Sequence, residues 1–465
     1  MPWIEVCPDA PYFRDETGNS WTPIGQNDAI TWLDFAGAFR RRDLASVEKH
    51  LQFLAEHNVN CLRLMLEYSQ VEHRYLEKPV GRFVPNMVQL WDDIFALCEK
   101  YQIRILLTPY DTFWMWIRWA KHPYNMANGG ICADRKRWLL EPAMREAMKA
   151  RLEFATTRWG GSGALFAWDI WNEINPAHAQ DSTDVFDEFV ADISGFLRET
   201  EIRVHGRAHP QTVTTYGMPS DFDAGMAPVV YRHDGLDFTN IHFYEQPALD
   251  NPKNTVDSAL LVGAMTREAL GEIRDNRPFF DSEHGPIHAF KDKKKMLSET
   301  FDDEYFRHFQ WAHFASGAVG GGMRWPNRHP HVLTRGMRAA QKSLADFLPL
   351  IDWNNFKRRN LNCEVEVNGD DCAAFACGDD SQAVVWLLRL DITGKNGMLK
   401  PNAAPIISKV AVPNLARGKY RVMAWDTVAG VQVASLEAAS DGEFLRFETP
   451  AFASDLALAI VRIGN

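Results

Sequence analysis

Eight times in its first 350 residues this chain alternates a short β-rich run that ends in polar or aromatic residues with an amphipathic stretch of helical period, and that alternation leaves few folds open. Residues 22–27, 60–66, 103–110, 165–172, 212–216, 238–244, 278–282 and 319–325 read as strands. Between the first two, Asp43 has the character of an N-cap, and Leu44, Val47, Leu51 and Leu54 fall on one face of the helix behind it. Residues 87–101 repeat the pattern with Leu90, Trp91, Ile94, Phe95 and Cys98, and further helices are predicted at 142–158, 185–199, 259–273, 304–316 and 335–350. Strands this apolar need cover on both faces, which is the condition of a parallel sheet. A doubly wound open sheet would place a Gly-rich turn after an early strand, and no G-x-G-x-x-G occurs there. The prediction is an α/β chain whose residues 1–352 form a (β/α)8, or TIM, barrel, opened by a small hairpin that turns at Thr17-Gly18-Asn19.

After about Asn354 helical periodicity stops. Short alternating runs at 363–367, 373–377, 383–390, 407–412, 420–424, 444–449 and 456–461 are separated by turn residues such as Asn368-Gly369-Asp370 and Arg417-Gly418. They predict an antiparallel β-sandwich over residues 353–465. The join, Asp352-Trp353-Asn354-Asn355-Phe356, is no Pro/Ser-rich linker, and Trp353 and Phe356 are suited to packing between the domains. The sandwich is therefore expected to be structural, with polysaccharide binding as the minor alternative.

With 50 Lys and Arg against 61 Asp and Glu, a net charge of −11 gives no general attraction to phosphate backbones or anionic membranes, so neither nucleic acid nor membrane is expected as a partner. The run Lys291-Asp292-Lys293-Lys294-Lys295 reads as a solvated loop. The N-terminus has neither a basic nor an apolar leader region, which predicts a cytoplasmic protein, or a secreted one if the chain is a processed form. Seven scattered cysteines without a C-x-x-C predict reduced, mostly buried thiols.

A barrel does its chemistry where strands end, at the C-terminal rim. There strand four ends in Trp168-Asp169-Ile170-Trp171-Asn172-Glu173, and strand seven in Phe280-Asp281-Ser282-Glu283-His284-Gly285. One glutamate at a strand end is ordinarily just solvated. Two, on different strands of one rim and with polar and aromatic neighbours, are the apparatus of glycoside hydrolysis, in which one group protonates the leaving oxygen and the other attacks the anomeric carbon or activates water.

Several segments extend the pattern. Trp171-Asn172-Glu173, followed by Ile174-Asn175-Pro176, resembles the Asn-Glu-Pro-type end of strand four in clan A glycoside hydrolases, with two residues between Glu173 and the proline. Ser282-Glu283-His284-Gly285 is similar to the clan's nucleophile segment, Arg63 to its strand-two arginine, His242-Phe243-Tyr244 to its His-x-Tyr pair, and Trp325 to its strand-eight tryptophan. The combination, over residues 22–326, most resembles family 5, the cellulase and mannanase family. One departure stands out: where that family carries a histidine at the end of strand three, this chain has Thr108-Pro109-Tyr110-Asp111-Thr112-Phe113-Trp114, so Asp111 or Tyr110 is a candidate for the sugar contact.

The resemblance implies a retaining β-glycosidase acting on β-linked oligosaccharides or polysaccharides, β-mannosides or β-glucosides in particular. It makes Glu173 the acid/base, with Trp168 and Trp171 as candidates to desolvate it, and Glu283 the nucleophile, kept ionised by Arg63 and Tyr244. Asn172 would bond the sugar 2-hydroxyl, His242 would orient the acid/base or the sugar, and Trp325 would form the floor under the ring. The carboxyl groups would then lie about 5–5.5 Å apart. His242 read alone is equally a satisfied core histidine, and Trp114, Trp116 and Trp119 are either helix packing or further sugar platforms. No cofactor is expected. No metal is expected either, because His284, His288, His313, His329 and His331 lack metal-ligand spacing on a strand end. The rival reading is a catalytically inactive carbohydrate-binding protein on the same barrel; retention of both carboxylates with their supporting residues argues against it.

Overall fold

A computed structural model describes residues 1–30, 35, 42–66, 75–369 and 371–464. The chain divides into two compact units, one of Met1–Val6, Arg14–Gly18 and Gly25–His242, the other of Cys7–Phe13, Asn19–Ile24 and Phe243–Asn465.

The first unit is built on five parallel strands in sequence order, Gly25–Asp28, Cys61–Met65, Arg104–Thr108, Leu165–Asp169 and Gln211–Thr212. Every residue of these strands is buried, as two-sided cover requires. The helices between them form as their periodicity predicts. Asp43 caps Leu44–Glu56 by accepting from the Ser46 N–H at 3.2 Å, and Val47, Leu51 and Leu54 are its buried residues, with Leu44 half-buried at its start. Pro85–Tyr101 starts on a proline, buries Leu90, Trp91, Ile94, Phe95 and Cys98, and stops at the left-handed Gln102. Pro142–Trp159 and Phe186–His205 follow the third and fourth strands.

In the second unit, residues 279–285 and 319–325 run side by side. Val319 N–H donates to the Phe279 carbonyl at 2.8 Å, Met323 to Asp281 at 3.0 Å, and Trp325 to His284 at 2.8 Å. His284 forms parallel bridges to both Phe243 and Arg324, aligning the ends of three chain segments. The predicted eighth strand is not a continuous one. Gly320 and Gly322 hold φ of 69° and 74°, which breaks the ladder and leaves Arg324 as its bridged residue.

The C-terminal strands form one continuous nine-stranded antiparallel sheet, in the order Arg359–Asn360, Cys372–Gly378, Gln382–Arg389, Asp455–Arg462, Gly418–Asp426, Val431–Ser440, Phe444–Glu448, Lys409–Pro413 and Glu366–Val367. It curls over a core that includes Val385, Leu387, Val412, Tyr420, Val422, Leu445, Leu458 and Ile460. The sequence did not single out Val431–Ser440, because its Ala- and Ser-rich face offers little hydrophobic alternation and most of its residues stay partly or fully exposed.

The sheet is fastened to the helices of its own unit. Gly263, in Thr255–Glu272, leaves room for the Phe375 ring, Trp425 Nε1 donates to Ser343 Oγ of Arg335–Phe347 at 3.2 Å, and Arg307 of Glu299–Ala315 pairs with Asp455 at 2.5 Å. Trp353 and Phe356 pack on Tyr12, with ring centroids 4.9 and 5.8 Å away, and Trp353 also packs on Phe314. Lys293–Lys295 is an exposed single turn capped by Asp292, as the charge run predicts. Five of the seven cysteines are buried, while Cys363 is exposed and Cys372 half-buried. Among the described residues, no helix is long and apolar enough to cross a membrane.

Candidate active site

The first unit gathers Arg63, Asp111, Asn172, Glu173 and His242 at the carboxyl ends of its strands. Arg63 is fully buried and could not be held there without a counter-charge. It has one in Asp169, 2.7 Å from Nη2, and it also donates to Asn27 Oδ1 at 3.0 Å and to Asn172 Oδ1. Burial pushes the Asp169 carboxyl up, and Arg63, Thr108 and Thr214 oppose that rise. Asn27, Asp169 and Thr214 were not singled out from the sequence, although Asp169 lies within the segment that carries Glu173.

Glu173 occupies the left-handed region at φ 54°, a conformation worth about 1–3 kcal/mol of strain in a non-glycine residue. Its N–H donates to Thr214 Oγ1 at 2.8 Å, and its side chain is 12% exposed. His242 Nδ1 lies 2.8 Å from Glu173 Oε1, and its ring is wholly buried. That bond is satisfied by a ring N–H on a carboxylate or by a carboxyl O–H on a bare ring nitrogen, so the pair accommodates both charge states of Glu173. His242 is therefore a buried histidine whose partner is the glutamate itself.

Trp168 does not supply the expected desolvation. Its indole N–H donates to Glu201 at 3.0 Å, because it alternates with Asp169 and the two side chains leave the strand on opposite faces. The Trp171 indole is held by Thr112 Oγ1 at 2.7 Å and stacks on Tyr110. Tyr110 is 3% exposed, so the structure gives it a packing role. Trp116 lies under the Arg135 guanidinium, 3.5 Å from the ring centroid, and Trp119 stacks on His122, so both serve packing. Trp114 is 7% exposed, on the helix Thr112–Arg118 that Asp111 caps.

The second unit carries Tyr244, Glu283 and Trp325. The Tyr244 hydroxyl donates to Glu283 Oε1 at 3.2 Å, one of the two contacts expected to keep that carboxylate ionised. Asp281 supports the segment from below: Oδ1 accepts the N–H of Glu283 at 3.2 Å and of Phe243 at 3.3 Å, and Oδ2 lies 2.7 Å from His284 Nδ1. Burial and the nearby Arg324 push the His284 imidazole well below its usual range, so it is a neutral donor. Trp325 is 8% exposed, with its N–H on the His284 carbonyl. Three of this unit's histidines have partners within it: His284 Nδ1 lies on Asp281, His313 Nδ1 on the Gly320 carbonyl at 2.9 Å and His331 Nδ1 on the Pro326 carbonyl at 3.0 Å.

No family model and no curated protein matches the sequence. Solved structures do match. One described as a glycoside hydrolase aligns with a TM-score of 0.61 at 13% identity, covering 99% of this chain and 97% of that one. A glycoside hydrolase family 5 protein from Bacteroides vulgatus aligns at 0.62 and 11%, covering 99% and 93%. The chain has a family 5 glycoside hydrolase fold. A family 5 mannosidase from Rhizomucor miehei shares this fold over 70% of the chain and 85% of its own, with a TM-score of 0.52 and 15% identity.

Proposed function

We propose that this chain is a retaining β-glycoside hydrolase, with Glu173 as acid/base and Glu283 as nucleophile, acting on β-linked oligosaccharides or polysaccharides and on β-mannosides or β-glucosides first. The observation that carries the reading is the pair of strand-end glutamates, each hydrogen-bonded to a side chain suited to its task, on a chain whose fold matches glycoside hydrolase structures, one of them of family 5, along nearly its whole length. In this reading the eight strand–helix units close as a (β/α)8 barrel over residues 1–352, and residues 353–465 are a structural β-domain.

Glu283, steadied by the Tyr244 hydroxyl, attacks the anomeric carbon as the bond to the leaving oxygen breaks, and Glu173 gives that oxygen its proton. His242 Nδ1 can hold a proton against the glutamate left ionised. Water then attacks the glycosyl-enzyme, Glu173 takes a proton from it, and Glu283 departs as the carboxylate. Trp325 is proposed as the apolar floor for the sugar ring, and Trp114 as part of the wall. Mannosides come first because a mannosidase is among the structures that share the fold.

Aryl β-glycosides differing only in the sugar, followed by NMR during hydrolysis, test the proposal. Turnover of a β-mannoside or β-glucoside with the β-anomer appearing first is the expected result. First appearance of the α-anomer refutes the nucleophile role of Glu283, and absence of turnover across the series supports the inactive carbohydrate-binding protein instead.

A further inference from the structure

We propose that Asp111 is a positioning residue: it fixes the side-chain amide of Asn172 in one of its two possible orientations. The inference rests on the glycosidase reading above and deepens it, because Asn172 is the residue that the family resemblance assigns to the sugar 2-hydroxyl.

Asp111 and Asn172 face each other as a parallel bridge between the ends of the third and fourth strands. Asn172 N–H donates to the Tyr110 carbonyl at 2.8 Å, and Thr112 N–H to the Asn172 carbonyl at 3.2 Å, so the backbones of the two residues are locked in register. Their side chains then meet: Asn172 Nδ2 donates to Asp111 Oδ1, while Asn172 Oδ1 accepts from Arg63 Nη2. A guanidinium only donates and a carboxylate only accepts. Turning the amide over would set its NH2 against Arg63 and its oxygen against Asp111, two repulsive contacts in place of two bonds. Asp111 and Arg63 therefore decide the orientation together, and Asn172 keeps one Nδ2 hydrogen and one Oδ1 lone pair for a ligand.

Asp111 is itself well held. Its Oδ2 accepts from the Trp114 N–H at 2.5 Å as the N-cap of Thr112–Arg118, and it is 3% exposed. With both oxygens engaged inside the protein, it reaches a sugar through Asn172. Burial pushes its carboxyl up to about 6, against the pull of Trp114, Asn172 and Arg63, so it is mainly the accepting carboxylate at neutral pH.

Two substitutions separate this role from a structural one. Asp111→Asn is isosteric but presents an N–H where an acceptor is needed. Asp111→Ser keeps an N-cap acceptor and is too short to reach Asn172. Both are measured alone and combined with Asn172→Ala, on an activated aryl β-glycoside and on its 2-deoxy counterpart, with thermal melts to establish folding. The expected result is a loss of kcat of about 10- to 100-fold for either single variant, the range that misplacing a substrate contact produces. In the Asn172→Ala background the same change should cost less than about twofold, and on the 2-deoxy substrate most of the single-variant loss should vanish. Losses that multiply undiminished in the Asn172→Ala background overturn the inference while leaving the glycosidase reading intact. An intact protein that hydrolyses neither substrate overturns both.

Discussion

Asp455→Ala is the substitution whose cost follows most directly from the structure. The Asp455 side chain is wholly buried, and it accepts from Arg307 at 2.5 Å, from Trp386 Nε1 at 3.0 Å and from the Thr427 hydroxyl. Alanine strands a guanidinium whose side chain is 10% exposed, together with the Trp386 indole N–H. Breaking a buried pair from one side costs about 3–5 kcal/mol, which for a unit of this size lowers Tm by on the order of 10 °C. Arg307→Met/Asp455→Leu, which removes both charges, should recover part of that loss. The pH dependence has a definite sign. Burial alone would raise the Asp455 carboxyl, but Arg307, His308, Thr427 and Trp386 together hold it down to about 2. A carboxyl lowered on folding stabilises the native state above its unfolded pKa of about 4, and that contribution is lost as pH falls toward about 2. Urea denaturation at several pH values reads both effects. A difference below about 1 kcal/mol at neutral pH, or one that widens as pH falls from 4 to 2.5, would refute the reasoning.

Two further outcomes follow. Tyr244→Phe removes the hydroxyl that donates to Glu283 at 3.2 Å, and a hydrogen bond to a charged group is worth about 1.5–3 kcal/mol, so kcat/KM in steady-state assays should fall by roughly 10- to 150-fold with the fold intact. Gly263→Ala gains about 1 kcal/mol of helix propensity, yet its Cβ would stand 2.5 Å from Phe375 Cε1. Overpacking of that kind costs about 1–3 kcal/mol, so a lower or unchanged urea midpoint is expected and a higher one would show that the ring yields freely.

The helices were legible because a helix declares its buried face within a few residues. Val47, Leu51 and Leu54 need no knowledge of the rest of the chain to be recognised. The strand ends were legible for a related reason, since Asn172-Glu173 and Glu283 interrupt apolar runs with carboxylates. Pairing across strands was not. Asp111 and Asn172 are 61 residues apart, and their bond depends on a register that periodicity does not encode. Asp169 was passed over for the same reason, its counter-charge lying on another strand. The assignment of Trp168 to Glu173 failed on a simpler point: nearness in sequence was read as nearness in space, and strand alternation sends that indole to Glu201. Residues 319–325 failed on the glycines, whose left-handed turns cut the ladder that the surrounding Val319, Met323 and Trp325 suggest.

The seam between the nine-stranded sheet and its helices bears on how such a chain can be recombined. A cavity made by one glycine admits a ring from the sheet, and a cation in one helix answers an acid in the last long strand. Neither half of either fit is useful alone, so grafting this sheet onto another scaffold would import an unmatched acid and an orphaned ring. Homologues that change Gly263 or Arg307 should change Phe375 or Asp455 with them, and an engineer shuffling domains would do better to cut before the helix that carries Gly263 than at the turn near Trp353.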